Sequence, residues 1–333
     1  MTPLQKIEIS YKTIVFTAVF ILFLWLLFQI RDILLLLFIS FILMSALKPM
    51  VERLEYARLP RILAIFLLYI LLILIVVLVT STVAPLLITQ SIHLANLLPG
   101  YTTTLLSVLN INGIKIDAWT RELVPLTQNV FGISVGIFTN IFSNIFSTLT
   151  VLVITFYLLL ERKHLGYYLK RLTGDVMGEK NLVIIQKIED RLGAWVRGQI
   201  ILMVTIGVAS YIGLLVLGVE FALSLALLAG ILEIVPIVGP IISAVPAIIV
   251  ALATAQTPAL AILVIGLYIL IQQLENNLIV PTVMRRAVGM PPVVTLIALM
   301  IGSTLGGMVG ALLAIPAVVT LHVIVTEISA LKR

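Results

Sequence analysis

The chain has 333 residues, 61% hydrophobic and 11% charged, with 21 Lys or Arg against 15 Asp or Glu and no cysteine. Soluble domains carry about 25% charged residues, so this composition excludes an ordinary water-soluble fold and predicts an all-α polytopic membrane protein. The missing cysteines exclude a disulfide framework, a thiolate zinc site and a thiol nucleophile, and the net charge of +6 lies in short loops between apolar runs, as the positive-inside rule expects, rather than in a nucleic-acid-binding patch.

A helical crossing of the hydrocarbon needs about 20 apolar residues. Residues 13–30, 33–47 and 62–83 supply three, making 1–83 an N-terminal group of helices. Lys6 and Lys12 precede the first run, but no small-residue cleavage site follows, so it reads as a retained helix and not a signal peptide. Lys48, Arg53, Arg58 and Arg61 then mark a cytoplasmic loop.

Between 84 and 135 the only basic residues are Lys115 and Arg121, and Pro85, Pro99, Gly100, Gly113 and Pro125 punctuate the stretch. It is expected outside, partly helical and partly seated at the interface. Residues 136–160 form the fourth crossing. Its stripe of Asn140, Asn144, Ser147, Thr148 and Thr155 lies largely on one face, which suits helix packing better than a water path. Arg162, Lys163, Lys170, Arg171, Lys180, Lys187, Arg191 and Arg197 make 161–198 cytoplasmic. Within it Leu182, Ile185, Ile188, Leu192 and Trp195 follow a helical period, predicting an amphipathic helix on the membrane surface.

The region 199–333 holds crossings at 199–217 and 259–280 and two longer tracts, 221–254 and 292–328, giving about eight membrane segments. If 221–254 crosses once, Arg285 and Arg286 fall outside; if it enters and returns, they fall inside. The second arrangement is favoured, with a hairpin bent at the Pro236–Pro240 break and arms of about 14 residues, roughly 21 Å each. The tract 292–328 is expected to fold back near Gly306–Gly310, leaving both chain termini cytoplasmic. VGPIISAVPAIIV at 238–250 and VGALLAIPAVV at 309–319 echo one another, as interrupted helices do in repeats of secondary transporters.

Glu233 and Glu275 lie in this apolar third. A carboxylate in hydrocarbon costs several kcal/mol unless it faces a cavity, partner or ion. Glu233 precedes Pro236 by three residues, and Pro236, Gly239 and Pro240 break helical hydrogen bonding where only a cavity or protein interior tolerates it. Glu233 is therefore the first candidate for proton or cation coupling; the alternative is a protonated acid that stabilises the bend. Gln272, Glu275 and Asn276 share a helical face, with Gln273 and Asn277 beside them and Pro281 following. They offer oxygen ligands to Na⁺ and hydrogen bonds to a polyhydroxylated solute, or else form a polar helix end paired with Arg285 or Arg286. Gly302, Gly306 and Gly310, at intervals of four, suit close helix packing or a backbone-lined turn. These are in conflict, since packing wants an unbroken helix and the hairpin wants a bend.

Two runs carry a resemblance: GILEIVPIVGPIISAVPAIIVAL, and QQLENNLIVPTVMRRAVGMPPVVTLIALMIGSTLGGMVGALLAIPAVV. With LLLLFISFILMSALKPMVERLE, LPRILAIFLLYILL and FYLLLERKHL upstream, the chain resembles the autoinducer-2 exporter family, the PerM-type permeases, over nearly its whole length. Glu161 departs from the family's aspartate at that helix end. The resemblance implies a bacterial inner-membrane transporter, oligomeric in some members, whose cargo is autoinducer-2 or, in others, sodium or lithium exchanged for protons.

Enzymatic readings have little to stand on. His93, His164 and His322 are far apart, and the chain shows no H-E-x-x-H, Walker loop or G-x-S-x-G elbow. No catalytic residue, resident metal or cofactor is predicted. The expectation is a secondary transporter of a small polar solute, or a monovalent cation/proton antiporter, embedded in lipid as a homo-oligomer; a non-transporting membrane scaffold is the reading from another class.

Overall fold

The computed structural model describes residues 11–109, 145–254, 259–284 and 291–331, and among them the only regular structure is helical. The helices are α1 (Tyr11–Gln29), α2 (Arg31–Tyr56), α3 (Arg61–Leu109), α4 (Ile145–Glu161), α5 (Leu165–Thr173), α6 (Asp175–Val216), α7 (Ala222–Leu232), α8 (Val238–Thr254), α9 (Ala259–Leu274), α10 (Val280–Val283) and α11 (Pro292–Leu331). A π-helical turn, Glu275–Ile279, joins α9 to α10.

Six helices are long and apolar enough to cross a membrane, and the bent pair α4–α5, angled at 80°, makes a possible seventh span. Hydrocarbon solvates their outward faces, so exposed Leu, Ile, Val and Phe cover most of them, and no residue of α1 is buried. This is the polytopic helical architecture expected from composition.

The tract 221–254 is a hairpin. α7 and α8, of 11 and 17 residues, are unequal where the sequence predicted equal arms. Ala222, Leu225, Leu228 and Leu232 of α7 pack against Ala247, Val250 and Ala251 of α8 in one core cluster. The bend also lies earlier than expected. The chain leaves the helix over residues 233–237, with Ile237 at φ +71°, and α8 resumes at Val238. Gly239 and Pro240 therefore sit in the first helical turn, where a missing N–H leaves no hydrogen bond unmade, and only Pro236 lies in the turn itself.

The final tract folds back as well. Helical geometry fails at Gly306 (φ −138°, ψ 20°) and Gly307 (φ 57°, ψ −136°), the second of which is open only to glycine. In a straight helix residues 302 and 310 would stand about 12 Å apart. Here they touch: a Cβ on Gly302 would meet the Gly310 carbonyl group and lie 2.9 Å from the Ala314 Cβ. Ala298 and Leu299 pack on Ala314 in the same hairpin. The conflict between a glycine seam and a bend is thereby resolved, because the seam closes across the bend.

Two further expectations change. Residues 199–217 lie within a candidate crossing, but not as a helix of their own: they are the second half of α6, which runs unbroken from Asp175. Accordingly Ile188, Leu192 and Trp195 do not lie on a membrane surface; they are buried against Ile42, Leu313, Val319 and Val323. The helical period was sound, but its apolar face meets protein. α3 likewise continues as helix to Leu109, past the predicted boundary at 83.

At the end where α2 finishes and α3 begins, charged side chains tie helices together. Glu189 of α6, with its side chain fully buried, contacts Lys48 Nζ at 2.8 Å and Arg162 Nε at 2.6 Å. Arg61 donates to the Leu159 carbonyl and pairs with Glu55 at 2.8 Å, and Lys163 pairs with the same carboxylate at 2.9 Å. Thr155 donates to the Ser40 carbonyl at 3.2 Å, so this member of the polar stripe packs α4 on α2, while Asn140 and Asn144 lie outside the described residues.

Candidate functional site: a carboxyl pair between two broken helices

α7 is apolar but for the buried Ser224 and has no internal reason to stop before Glu233. It ends there because the following turn cannot continue the ladder: Pro236 lacks an N–H, and Ile237 adopts a left-handed conformation. Short bonds close the turn, Val235 N–H to the Leu232 carbonyl at 3.1 Å and Gly239 N–H to the Val235 carbonyl at 2.9 Å. Close approach is built into it, since a Cβ on Gly239 would lie 2.8 Å from the Glu233 amide nitrogen and closer still to the Leu232 carbonyl. Glu233 is left fully buried at the break.

The second break carries Glu275, also buried, at the head of the π turn. Pro281, six residues on, withholds the N–H that an α-helix would direct back to residue 277, and the wider π turn is where the ladder adjusts. Gln272 stays inward and donates through Nε2 to Glu275 Oε2 at 3.2 Å. Asn276, expected beside them, is exposed, as is Asn277, whose Nδ2 donates to the Gln273 carbonyl and Oε1 at 2.9 and 3.0 Å. The buried stripe runs through Val264, Tyr268, Ile271 and Glu275, and Asn276, about 100° further round the helix, falls outside it.

The carboxyls of Glu233 and Glu275 lie near enough to act on one another. Taken as two carboxylates, they have no donor between them, and both oxygens of Glu233 then lack a partner. One shared proton, or a cation between them, removes the conflict.

Gln199 of α6 belongs to this site and was not singled out as a site residue in the sequence. It is 4% exposed, its Nε2 donates to the Glu233 carbonyl, and its Oε1 is buried without a donor among the described residues. The signal available was a carboxamide at the start of an otherwise apolar run. The remaining predicted residues take other positions. Pro281 is exposed. Gly306 stands at the tip of the second hairpin with no atom near its Cβ position, and Gly310 holds that hairpin's arms together. Val235, in the turn after Glu233, packs on those arms, so the two hairpins touch. Arg285 and Arg286 lie outside the described residues. An apolar groove of about 340 Å³ between α6 and α7, lined by Met203, Gly207, Tyr211, Ala226 and Gly230 among others, contains neither carboxyl. Among the described residues no group of three His, Cys, Asp or Glu could hold a metal ion.

The pattern that defines the AI-2E family transporters matches residues 14–330. The chain belongs to that family. Among curated relatives, YueF of Bacillus subtilis is 28% identical over 256 residues, covering 72% of this chain and 69% of YueF. YrrI of the same organism is 33% identical over 52% of this chain and 49% of its own length, and the permease PerM of Escherichia coli is 28% identical over 44% and 39%. The alignment thus spans about half of YrrI and about seven tenths of YueF. YueF and YrrI are provisionally designated transport proteins and PerM a permease, in keeping with the multi-pass helical membrane fold and the transport role that membership in this family supports.

Proposed function

We propose that this protein is a secondary transporter of the bacterial inner membrane that exports a small polar solute, with autoinducer-2 as the first cargo to test, driven by an ion gradient or by downhill flow. The proximity of Glu233 and Glu275 carries the reading. Two acidic side chains are rarely left together in hydrocarbon without a transported or coupling species, and broken helices meeting near a buried site are how secondary transporters build theirs. The basic loops at the Glu189 end favour placing that end in the cytoplasm.

The same pair favours a second reading, exchange of Na⁺ or Li⁺ for protons, since acceptor oxygens alone suit a cation. Liposomes containing the purified protein and a trapped pH dye separate the two. Autoinducer-2 flux that disappears in Glu233→Gln and Glu275→Gln, with no proton movement on adding Na⁺ or Li⁺, supports export. Cation-triggered proton movement lost in the same variants supports exchange. Parent-like transport by both variants, shown to be folded, removes the carboxyl pair from the mechanism, and silence of the parent under every condition favours a scaffold.

A further inference from the structure

α6 meets the first break and the segment that follows the second through adjacent residues. A Cβ on Gly198 would lie 2.7 Å from Met284 Sδ and 3.3 Å from Val283 Cγ1, so Gly198 packs at the far end of the π turn's short helix. Its neighbour Gln199 bonds to the first break through the Glu233 carbonyl. The last carbonyls of a helix have no intrahelical partner, and a buried carbonyl without a donor costs about 1–3 kcal/mol. Gln199 meets that need at the residue whose side chain must reach Glu275. Because carbonyl and side chain hang on the same short stretch of backbone, fixing one restricts the other.

We propose that Gln199 is a positioning residue for the carboxyl pair: its amide holds the Glu233 backbone so that the Glu233 side chain meets Glu275. The proposal rests on the pair being the transport site but not on which cargo it serves. The groups acting on the pair are few. Glu233 faces Glu275, and Glu275 faces Glu233 and Gln272.

The test is infrared spectroscopy of the purified full-length protein in H₂O and D₂O, with the carboxylic C=O band of the pair identified by its change in Glu233→Gln. Gln199→Met keeps the length of the side chain and removes both its donor and its acceptor. The expected result is a band displaced toward the position of a carboxyl lacking its partner. In liposomes, about tenfold slower flux of autoinducer-2, or of Na⁺-triggered protons, should accompany it, with an unchanged half-saturating concentration, as loss of one hydrogen bond would give. Gln272→Met serves as the comparison that touches Glu275 alone. A folded Gln199→Met protein with the parent's band overturns the proposal, and so does a parent with no such band at any pH. If the parent moves no cargo at all, the transport reading fails while the band still decides the role of Gln199.

Discussion

Gly239→Ala perturbs the first hairpin at its tightest point. The added Cβ would sit 2.8 Å from the Glu233 amide nitrogen, and ordinary contact begins at 3.4 Å, so α8 must withdraw from that atom by at least 0.6 Å, the difference of the two. The Leu232 carbonyl demands more. Both neighbours are backbone, which cannot swing aside as a long side chain would. Forced overpacking of this kind costs about 1–3 kcal/mol, which for a chain of this size lowers the midpoint of thermal unfolding by roughly 1–4 °C. Function should suffer more than stability. Misplacing interacting groups by about 1 Å can cost 10²-fold in rate, and this displacement, applied beside Glu233, is expected to slow reconstituted flux by about tenfold or more. Thermal unfolding in detergent followed by tryptophan fluorescence, with flux measured on the same preparation, checks both. Parent-like melting together with parent-like flux would refute the close packing of Gly239 against the end of α7, and with it the account of how Glu233 is held.

Two other outcomes follow from the packing. Because the protein has no cysteine, Ala298→Cys with Ala314→Cys introduces a single possible bridge; mild oxidation should form it, detected by mobility on a denaturing gel after labelling of free thiols, whereas an unbroken helix would hold these positions about 24 Å apart. Replacing Glu189 by Ala strands Lys48 and Arg162 and should destabilise the protein by about 3–5 kcal/mol, measured by denaturation in detergent, while breaking the exposed Lys170–Glu179 contact with Lys170→Ala should leave the midpoint unchanged.

How much of this was legible depends on which physical signal each feature leaves. Crossings leave a long apolar run, so α1, the starts of α2 and α3, and α9 were read within a few residues, while α2 continues nine residues past its predicted end. The two fold-backs were legible because Pro236 and the Gly306–Gly307 pair are expensive inside a helix, although the left-handed Ile237, which helps set the true corner, carries no mark in its residue type. Glu233 and Glu275 stood out as costly residues in hydrocarbon, but nothing in a one-dimensional pattern says that two acids in different helices will lie together. Asn276 was misplaced because the spacing of three polar residues does not say which side of Glu275 faces protein. Leu182–Trp195 failed differently: an amphipathic period identifies an apolar face without saying whether lipid or protein will cover it. Gln199 was passed over for the converse reason, since one carboxamide in an apolar run reveals no partner.

α3 has a mechanical consequence of its own. Its 49 residues have a contour of about 74 Å, and the first 23, Arg61–Val83, are by themselves long and apolar enough to cross a bilayer. The remaining 26 continue for about 39 Å beyond it, away from the layer in which Arg61 is clamped to Glu55 and Leu159. A tilt of 10° at that clamped base would sweep the far end sideways through about 13 Å at a 74 Å radius. Small rearrangements among the embedded helices are therefore magnified along this arm, which makes its outer turns a sensitive place for a distance probe reporting on the state of the core.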